Sequence, residues 1–150
     1  MSDIFTDFID WLKNIFSDDK RPEIQRGIQA IHHVLKTRRD IPHAMCRADI
    51  GIIGFRYGWH KPATKTRKRS GHGIAHIIGS ALEDYGKYKG SPEPEEVLRM
   101  IPEAIMDGTI MRSHKGRLRL DHKGHIVLLS AAGKHKKAPH WLFHAYKRYK

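Results

Sequence analysis

Two early stretches of the chain place apolar residues at helical spacing. Residues 2–16 carry apolar side chains every three or four positions. After a short polar connection, residues 22–36 repeat the pattern behind Pro22, which suits the first position of a helix. We predict that these helices form an antiparallel hairpin over residues 1–40, a module apart from the remainder.

The pattern of residues 41–150 is mixed. Branched and aromatic residues punctuated by glycine predict a strand over 48–58, and residues 59–70 are predicted to form a basic loop. Apolar spacing predicts two more helices, the second kinked or split by Pro102. Helices followed by strands predict an α+β fold. These helices cover 71–85 and 91–108, and antiparallel strands are predicted at 109–112, 117–120, 125–130 and 141–146.

Alternation divides the last predicted strand into two faces. Trp141, Phe143 and Ala145 share one face, and Leu142, His144 and Tyr146 share the other. If the tryptophan face is inward, His144 and Tyr146 point together toward solvent or a cleft. Tyr146 would then stack on a nucleobase or bind phosphate, with simple strand packing as the alternative.

The positive charge of the chain says most about its partner. The 150 residues carry a formal charge of +12, with 28 Lys and Arg against 16 Asp and Glu. Residues 1–40 are neutral, whereas 41–70 carry +6 and 111–150 carry +10, on either side of a segment of −4. Two basic blocks of this kind favour a polyanionic partner, above all nucleic acid, over a purely solubilising role.

Composition excludes several classes of protein. Cys46 is the single cysteine, which excludes an intramolecular disulfide framework and a multi-cysteine zinc site. No apolar run reaches the roughly 18 residues of a spanning helix, and no secretory signal is expected. The single cysteine also suits a reducing cytosol.

Twelve histidines provide candidate acid–base chemistry. Histidines beside Lys and Arg suit metal-independent RNA cleavage, in which a base takes the 2′-OH proton and an acid protonates the 5′-oxygen. For any single histidine, a structural role is the alternative. Those in the basic tail are His114, His122, His125, His135, His140 and His144.

A metal site is the competing use of the same side chains. His72 and His76 have the i, i+4 spacing of paired ligands, and a histidine of the tail would add a third. No glutamate lies between the pair where a zinc protease has its base. An HNH-type nuclease beginning at Asp121 is disfavoured because the only asparagine, Asn14, lies far away.

A phosphate site is suggested before the third predicted helix. Gly71, His72 and Gly73 open that helix, whose free N–H groups suit an anion. The signal is weak by itself and is strengthened by the basic run at 67–69.

Residues 50–148 resemble the barnase/EndoU/colicin/RelE (BECR) superfamily, in its phage and contact-dependent growth inhibition toxin branch. The resemblance rests on the order and spacing of several segments. These are Ile50-Gly51-Ile52-Ile53-Gly54-Phe55, Gly71-His72-Gly73-Ile74-Ala75-His76, Asp107-Gly108, Arg117-Leu118-Arg119-Leu120-Asp121-His122, and Pro139-His140-Trp141-Leu142-Phe143-His144-Ala145-Tyr146.

The resemblance implies helices on a four-stranded antiparallel sheet and metal-independent cleavage on the open face of that sheet. The helix histidine of the family corresponds to His76. Its positively charged residue on the early strands of the sheet corresponds to Arg117 or Arg119, and its loop lysine corresponds to Lys134 or Lys136. His144 stands where relatives usually have a hydroxyl residue. A second helix histidine found in relatives is missing from residues 80–85.

We therefore predict an endoribonuclease that leaves a 2′,3′-cyclic phosphate, with tRNA among its candidate substrates. The resemblance also implies action in the cytoplasm of a producing or target bacterial cell, with delivery from outside left open. The enzyme is expected to need no metal or cofactor, and its partners are expected to be RNA and an acidic immunity or antitoxin protein. His76 and His144 are the predicted proton-transfer pair, Arg119 and Lys134 stabilise the phosphorane, and Tyr146 positions the substrate. The predicted RNA-binding residues are Arg67, Lys68, Arg69, His72, Arg117, Lys136 and Lys137.

Two other classes of function remain open from the sequence. A non-catalytic RNA- or DNA-binding protein would use the same basic surface without forming product. A phage protein that inhibits a host enzyme would act through residues 1–40, which are otherwise a linker, an entry element or a partner-binding module.

Overall fold

A computed structural model describes residues 12–112, 116–130 and 139–148. Most of the helix predicted at 2–16 lies outside these ranges, as does the basic loop predicted at 133–139 except for Pro139. Lys134, Lys136 and Lys137 lie in that loop, so the roles predicted for them stay predictions.

Three helices form where apolar spacing predicted them. They are α1 (Pro22–Thr37), α2 (Gly73–Lys87) and α3 (Pro94–Asp107). Proline occupies the first turn of α1 and of α3, where its missing N–H costs no hydrogen bond. Helix α3 runs without a break past Pro102, so the predicted split is wrong. Pro102 is buried and packs close to Gly27 of α1, which shows that tertiary packing holds the helix together there.

The strands form one large sheet and a small ribbon. The strands are β1 (Ile41–Arg47), β2 (Gly51–Phe55), β3 (Trp59–Lys61), β4 (Ser70–His72), β5 (Thr109–Arg112), β6 (Leu118–His122), β7 (His125–Leu129) and β8 (His140–Lys147). The large sheet has the order β1-β2-β8-β7-β6-β5, and β3 pairs with β4.

The predicted four-stranded antiparallel sheet is therefore wrong in size and in orientation. Strands β5 to β8 do form an antiparallel meander. Strand β2 then adds to β8 in parallel through Ile53 and Gly54, and β1 pairs antiparallel with β2. Polar residues and a bulge interrupt β1, which hid it in the sequence, yet its Ala44 and Met45 are buried.

The helices cover one face of the large sheet. A single core cluster joins Ile77 of α2 and Ile101 of α3 to Leu120 and Val127 of the meander. Ile31 of α1 belongs to the same cluster. Where an independent domain begins stays a prediction, but α1 shares its core with the rest of the chain.

Within the described ranges, no helix is both long enough and apolar enough to cross a lipid bilayer.

Candidate active site

Three histidines from three separate elements meet beside strand β8 of the large sheet. His60 comes from β3, His76 from the first turn of α2, and His144 from β8. The ring centroids of His60 and His76 are 5.1 Å apart, and those of His76 and His144 are 4.5 Å apart. We call these three side chains the histidine cluster.

A bulge in β8 orients one member of the cluster. Leu128 lies opposite His144, but Leu129 lies opposite Leu142, so Phe143 is an extra residue in the strand. Leu142 and Ala145 are consequently both buried in the core, whereas alternation had placed them on opposite faces. The face assignment from the sequence is wrong in placing Leu142 with His144 and in separating Leu142 from Ala145, and it is right in keeping His144 with Tyr146.

The ribbon of β3 and β4 brings His60 to His76. Nδ1 of His60 lies 2.9 Å from Nδ1 of His76, and Nε2 of His60 lies 2.7 Å from Oε1 of Glu83. The His60 side chain is 9% exposed. A continuous hydrogen-bonded chain thus runs from the carboxylate of α2 through His60 to His76.

Glycine makes room for this arrangement. A Cβ added to Gly79 would lie 2.2 Å from Cδ2 of His60. A Cβ added to Gly71, where φ is +145°, would lie 2.9 Å from Nδ1 of His76 and closer still to a backbone oxygen. Larger residues at either position would push the two rings apart.

Burial keeps His76 and His144 uncharged at neutral pH. Desolvation is the largest cause that lowers the pKa of His76 to about 4, and the positive charge of Arg69 acts in the same direction. Desolvation, followed by His76, lowers the pKa of His144 to about 3. Nδ1 of His144 is buried and has no hydrogen-bond partner among the described residues. Two neutral imidazoles that sit beside a basic surface are suited to exchange protons with a bound anion.

A second row of rings runs beside the cluster. Trp59 meets His72 edge-on across the ribbon, and His72 stacks on Phe143 at 6.4 Å. The guanidinium carbon of Arg117 lies 3.9 Å from the centroid of the Phe143 ring. Burial, followed by the charge of Arg56, lowers the pKa of His72. His72 and Arg117, both predicted to bind RNA, are thus brought together at the edge of the site.

The remaining predicted cations differ in their surroundings. Arg67 and Lys68 are exposed on the loop between β3 and β4. Arg69 instead makes two hydrogen bonds to Asp84, at 2.7 and 3.1 Å, and lies 3.7 Å from Glu83. These contacts tie the loop to α2, and the structure therefore gives Arg69 a structural partner that sequence reasoning did not foresee.

Arg119 lies on the same open face as His144. The two residues share a cross-strand row with Leu128 between them. Arg119 makes two hydrogen bonds to Asp121, at 2.6 and 3.0 Å. Tyr146 follows His144 in β8, with ring centroids 5.5 Å apart, and is 36% exposed.

A pocket of about 370 Å³ adjoins the cluster between α2, the start of α3 and β8. Its lining includes Arg69, Ser80, His144, Tyr146 and Arg148. This volume is in the range of small-molecule sites, so it accommodates part of a nucleotide next to His144.

The geometry does not bring His72 and His76 into a metal-ligand group. Across the described part of the chain, one set of potential ligand atoms lies within 4.8 Å of one another, from Glu103, Asp107 and His122. The carboxylate of Asp107 is bound at 2.6 and 2.5 Å by Arg21, so this set is already part of an ion pair.

Comparison with known protein families identifies the family of the chain. A family model described as phage-Barnase-EndoU-ColicinE5/D-RelE like nuclease1 matches residues 44–150. The chain belongs to this family of BECR nucleases. Membership confirms the resemblance seen in the residues and gives nuclease as the general activity. No curated protein and no solved structure matches the chain.

Sequence reasoning did not single out two members of this candidate site, His60 and Glu83. His60 lies in a segment predicted as a loop, where histidine carries no periodic signal. Gly79 was the available clue, because a glycine inside a helix costs about 1 kcal/mol relative to alanine and often marks a close approach. It could not reveal which residue approaches.

Proposed function

We propose that this BECR nuclease cleaves RNA without a metal ion, with His76 and His144 as its proton-transfer pair. The observation that carries the proposal is the pair itself: two buried imidazoles with ring centroids 4.5 Å apart, both held neutral by their surroundings. They sit at the open sheet face of a chain with a formal charge of +12.

The reaction needs the ribose 2′-OH. One imidazole takes the 2′-OH proton, the 2′-oxygen bonds to phosphorus, and the bond to the 5′-oxygen breaks as the second imidazole protonates that oxygen. The products are a 2′,3′-cyclic phosphate and a 5′-OH. The charge of a bound phosphate raises the pKa of a nearby imidazole, so substrate favours the protonated form that the acid requires.

Cations stabilise the charge on phosphorus in this proposal. Arg119 uses two N–H groups on Asp121 and keeps others for a phosphate on the same face. Lys134 is proposed as the second cation, and Tyr146 positions the substrate beside His144.

Flanking phosphates are proposed to bind along the rim of the site. This proposal includes the exposed Arg67 and Lys68 together with the stacked pair of His72 and Arg117. The remaining proposed contacts are Arg69, Lys136 and Lys137.

An acidic immunity protein is the proposed partner because it would complement and cover this basic face. The proposed place of action is the cytoplasm of a bacterial cell.

The experiment incubates the protein with total bacterial RNA in excess EDTA and maps the new RNA ends. We expect discrete fragments with cyclic phosphate ends, and their loss in His76→Ala and His144→Ala. His122→Ala is the matched control, because this histidine pairs with Glu103 in a different part of the fold.

Two results would overturn the proposal. Cleavage that appears only after zinc or magnesium is added would give the histidines ligand roles. RNA binding without cleavage under either condition would make the chain a non-catalytic binding protein.

A further inference from the structure

We propose that Glu83 and His60 act as positioning residues that hold a proton on Nδ1 of His76, which leaves its Nε2 as the base. This inference rests on the proposed function and assigns the direction of proton transfer within it. It concerns two residues that lie outside the predicted catalytic set.

The first step follows from the carboxylate. An ionised glutamate only accepts hydrogen bonds, so the 2.7 Å contact requires a proton on Nε2 of His60. His60 therefore donates to Glu83, and this contact fixes one of its two ring nitrogens.

The second step concerns the other ring nitrogen of His60. Arg69 lies 3.7 Å from Oε2 of the same carboxylate, so Glu83 is shared between Arg69 and His60. In this proposal His60 holds one ring proton, on Nε2, and its Nδ1 carries a lone pair.

The third step fixes His76. A 2.9 Å contact between two ring nitrogens needs one proton, and Nδ1 of His60 has none to give. Nδ1 of His76 consequently donates. The lone pair of His76 is then on Nε2, which is the opposite of the tautomer that a free imidazole side chain prefers.

This arrangement specifies the chemistry of each atom. Nε2 of His76 accepts the 2′-OH proton as the bond from the 2′-oxygen to phosphorus forms. His144 then protonates the 5′-oxygen as its bond to phosphorus breaks. The other charged or titratable groups facing His76 are His72 from β4 and Arg69 from the preceding loop, neither of which competes for Nδ1.

The direct test reads the ring nitrogens by NMR at pH 7 in the full chain. We expect a protonated Nδ1 and an unprotonated Nε2 on His76, with the reverse on His60. In His60→Ala, the proton of His76 should move to Nε2. A wild-type His76 protonated on Nε2, or a doubly protonated His60, would overturn the proposal.

The kinetic test uses the same variants on RNA. His60→Ala should lower kcat by about 10²-fold or more with little change in KM, since a base in the wrong tautomer cannot accept the proton. His60→Asn keeps an acceptor near the position of Nδ1 and should recover part of the loss. A loss in His60→Ala that His60→Asn does not relieve, or that raises KM alone, would contradict positioning.

Glu83→Gln tests the positioning role through the pH dependence of kcat/KM, which would not change if Glu83 only stabilised the fold. The charge of Glu83 raises the pKa of His76, so its removal should shift the acid limb of kcat/KM to lower pH. Glu103→Gln, which alters the comparable pair with His122, should leave the limb in place. If the acid limb of kcat/KM does not shift in Glu83→Gln, the proposed role of Glu83 and His60 in positioning His76 would be contradicted.

The two proposals fail separately. If the NMR result is as expected and no RNA is cleaved, the hydrogen-bonded chain stands and the proposed function is wrong. If RNA is cleaved and the NMR result is reversed, the function stands and the positioning role is wrong.

Discussion

At the scale of single residues, the neutrality of His76 and His144 comes from their surroundings. Desolvation is the largest cause for both, and neighbouring imidazoles and Arg69 act in the same direction. Neutral rings keep their lone pairs at pH values where an exposed histidine would lose them. The pH range of the enzyme is therefore built into the packing around the cluster.

This neutrality predicts an unusual pH profile. A base works in its unprotonated form, so a pKa of about 4 for His76 keeps this ring ready to accept a proton well below the ordinary histidine range. We expect the ring of His76 to titrate near pH 4 in the free protein, measured by an NMR pH titration. A midpoint near pH 6.5 in protein that stays folded by circular dichroism would show that burial does not control the pKa of His76.

At the scale of elements, the loop between β3 and β4 carries both exposed cations and an anchored one. Its exposed cations face solvent, while Arg69 is anchored on α2 through Asp84. The anchor holds the ribbon beside the helix and so helps keep His60 beside His76. Neighbouring basic residues on one loop consequently have separable roles.

Alanine substitutions should separate these roles. Arg69→Ala should lower the free energy of unfolding by about 1–3 kcal/mol, because it removes charged hydrogen bonds to Asp84. Lys68→Ala should leave the free energy of unfolding unchanged and weaken RNA binding. The slope of log binding constant against log salt concentration should fall by about one, because one phosphate contact is lost. Urea unfolding and binding titrations at several salt concentrations measure both. An Arg69→Ala protein of unchanged stability would refute the anchoring role.

At the scale of the whole molecule, one hydrophobic core supports both the site and the N-terminal helix. Ile31, with no exposed surface, belongs to the cluster that contains Ile77 of α2 and Val127 of β7. Helix α1 thereby supports the layer from which His76 projects. Stability of the nuclease region should therefore depend on α1.

Ile31→Ala tests this dependence. We expect it to destabilise the whole chain by about 2–5 kcal/mol, the usual cost of such a cavity, in a single unfolding transition. Gln29→Ala on the exposed side of α1 should have little effect. Two separate transitions, with the main one unmoved by Ile31→Ala, would show that residues 1–40 fold independently.

Local patterns predicted much of this protein. The apolar spacing of α1 and α3 and the alternation around Lys123-Gly124, which forms the turn between β6 and β7, depend on neighbours in sequence. The resemblance to BECR nucleases rested on the same local segments, and it singled out His76 and His144 by their positions in those segments. Predictions of this kind succeed where the physical cause is local.

Features that depend on distant partners were missed. Strand β1 lacks a clear apolar pattern and exists because β2 pairs with it. The bulge at Phe143 depends on its register with β7, and the ties of Arg69 and Arg119 to carboxylates depend on the folded surface. Pairing and register are set by tertiary packing, which sequence spacing does not encode directly.

The sequence by itself determined the α+β class, the strong positive charge, the family and two histidines of the cluster. Only the tertiary structure decided that His60 joins them and that Glu83 lies behind it. The physical reason is distance along the chain: 16 residues separate His60 from His76, and 23 separate it from Glu83. Contacts across such separations follow from how a ribbon, a helix and a bulged strand pack together.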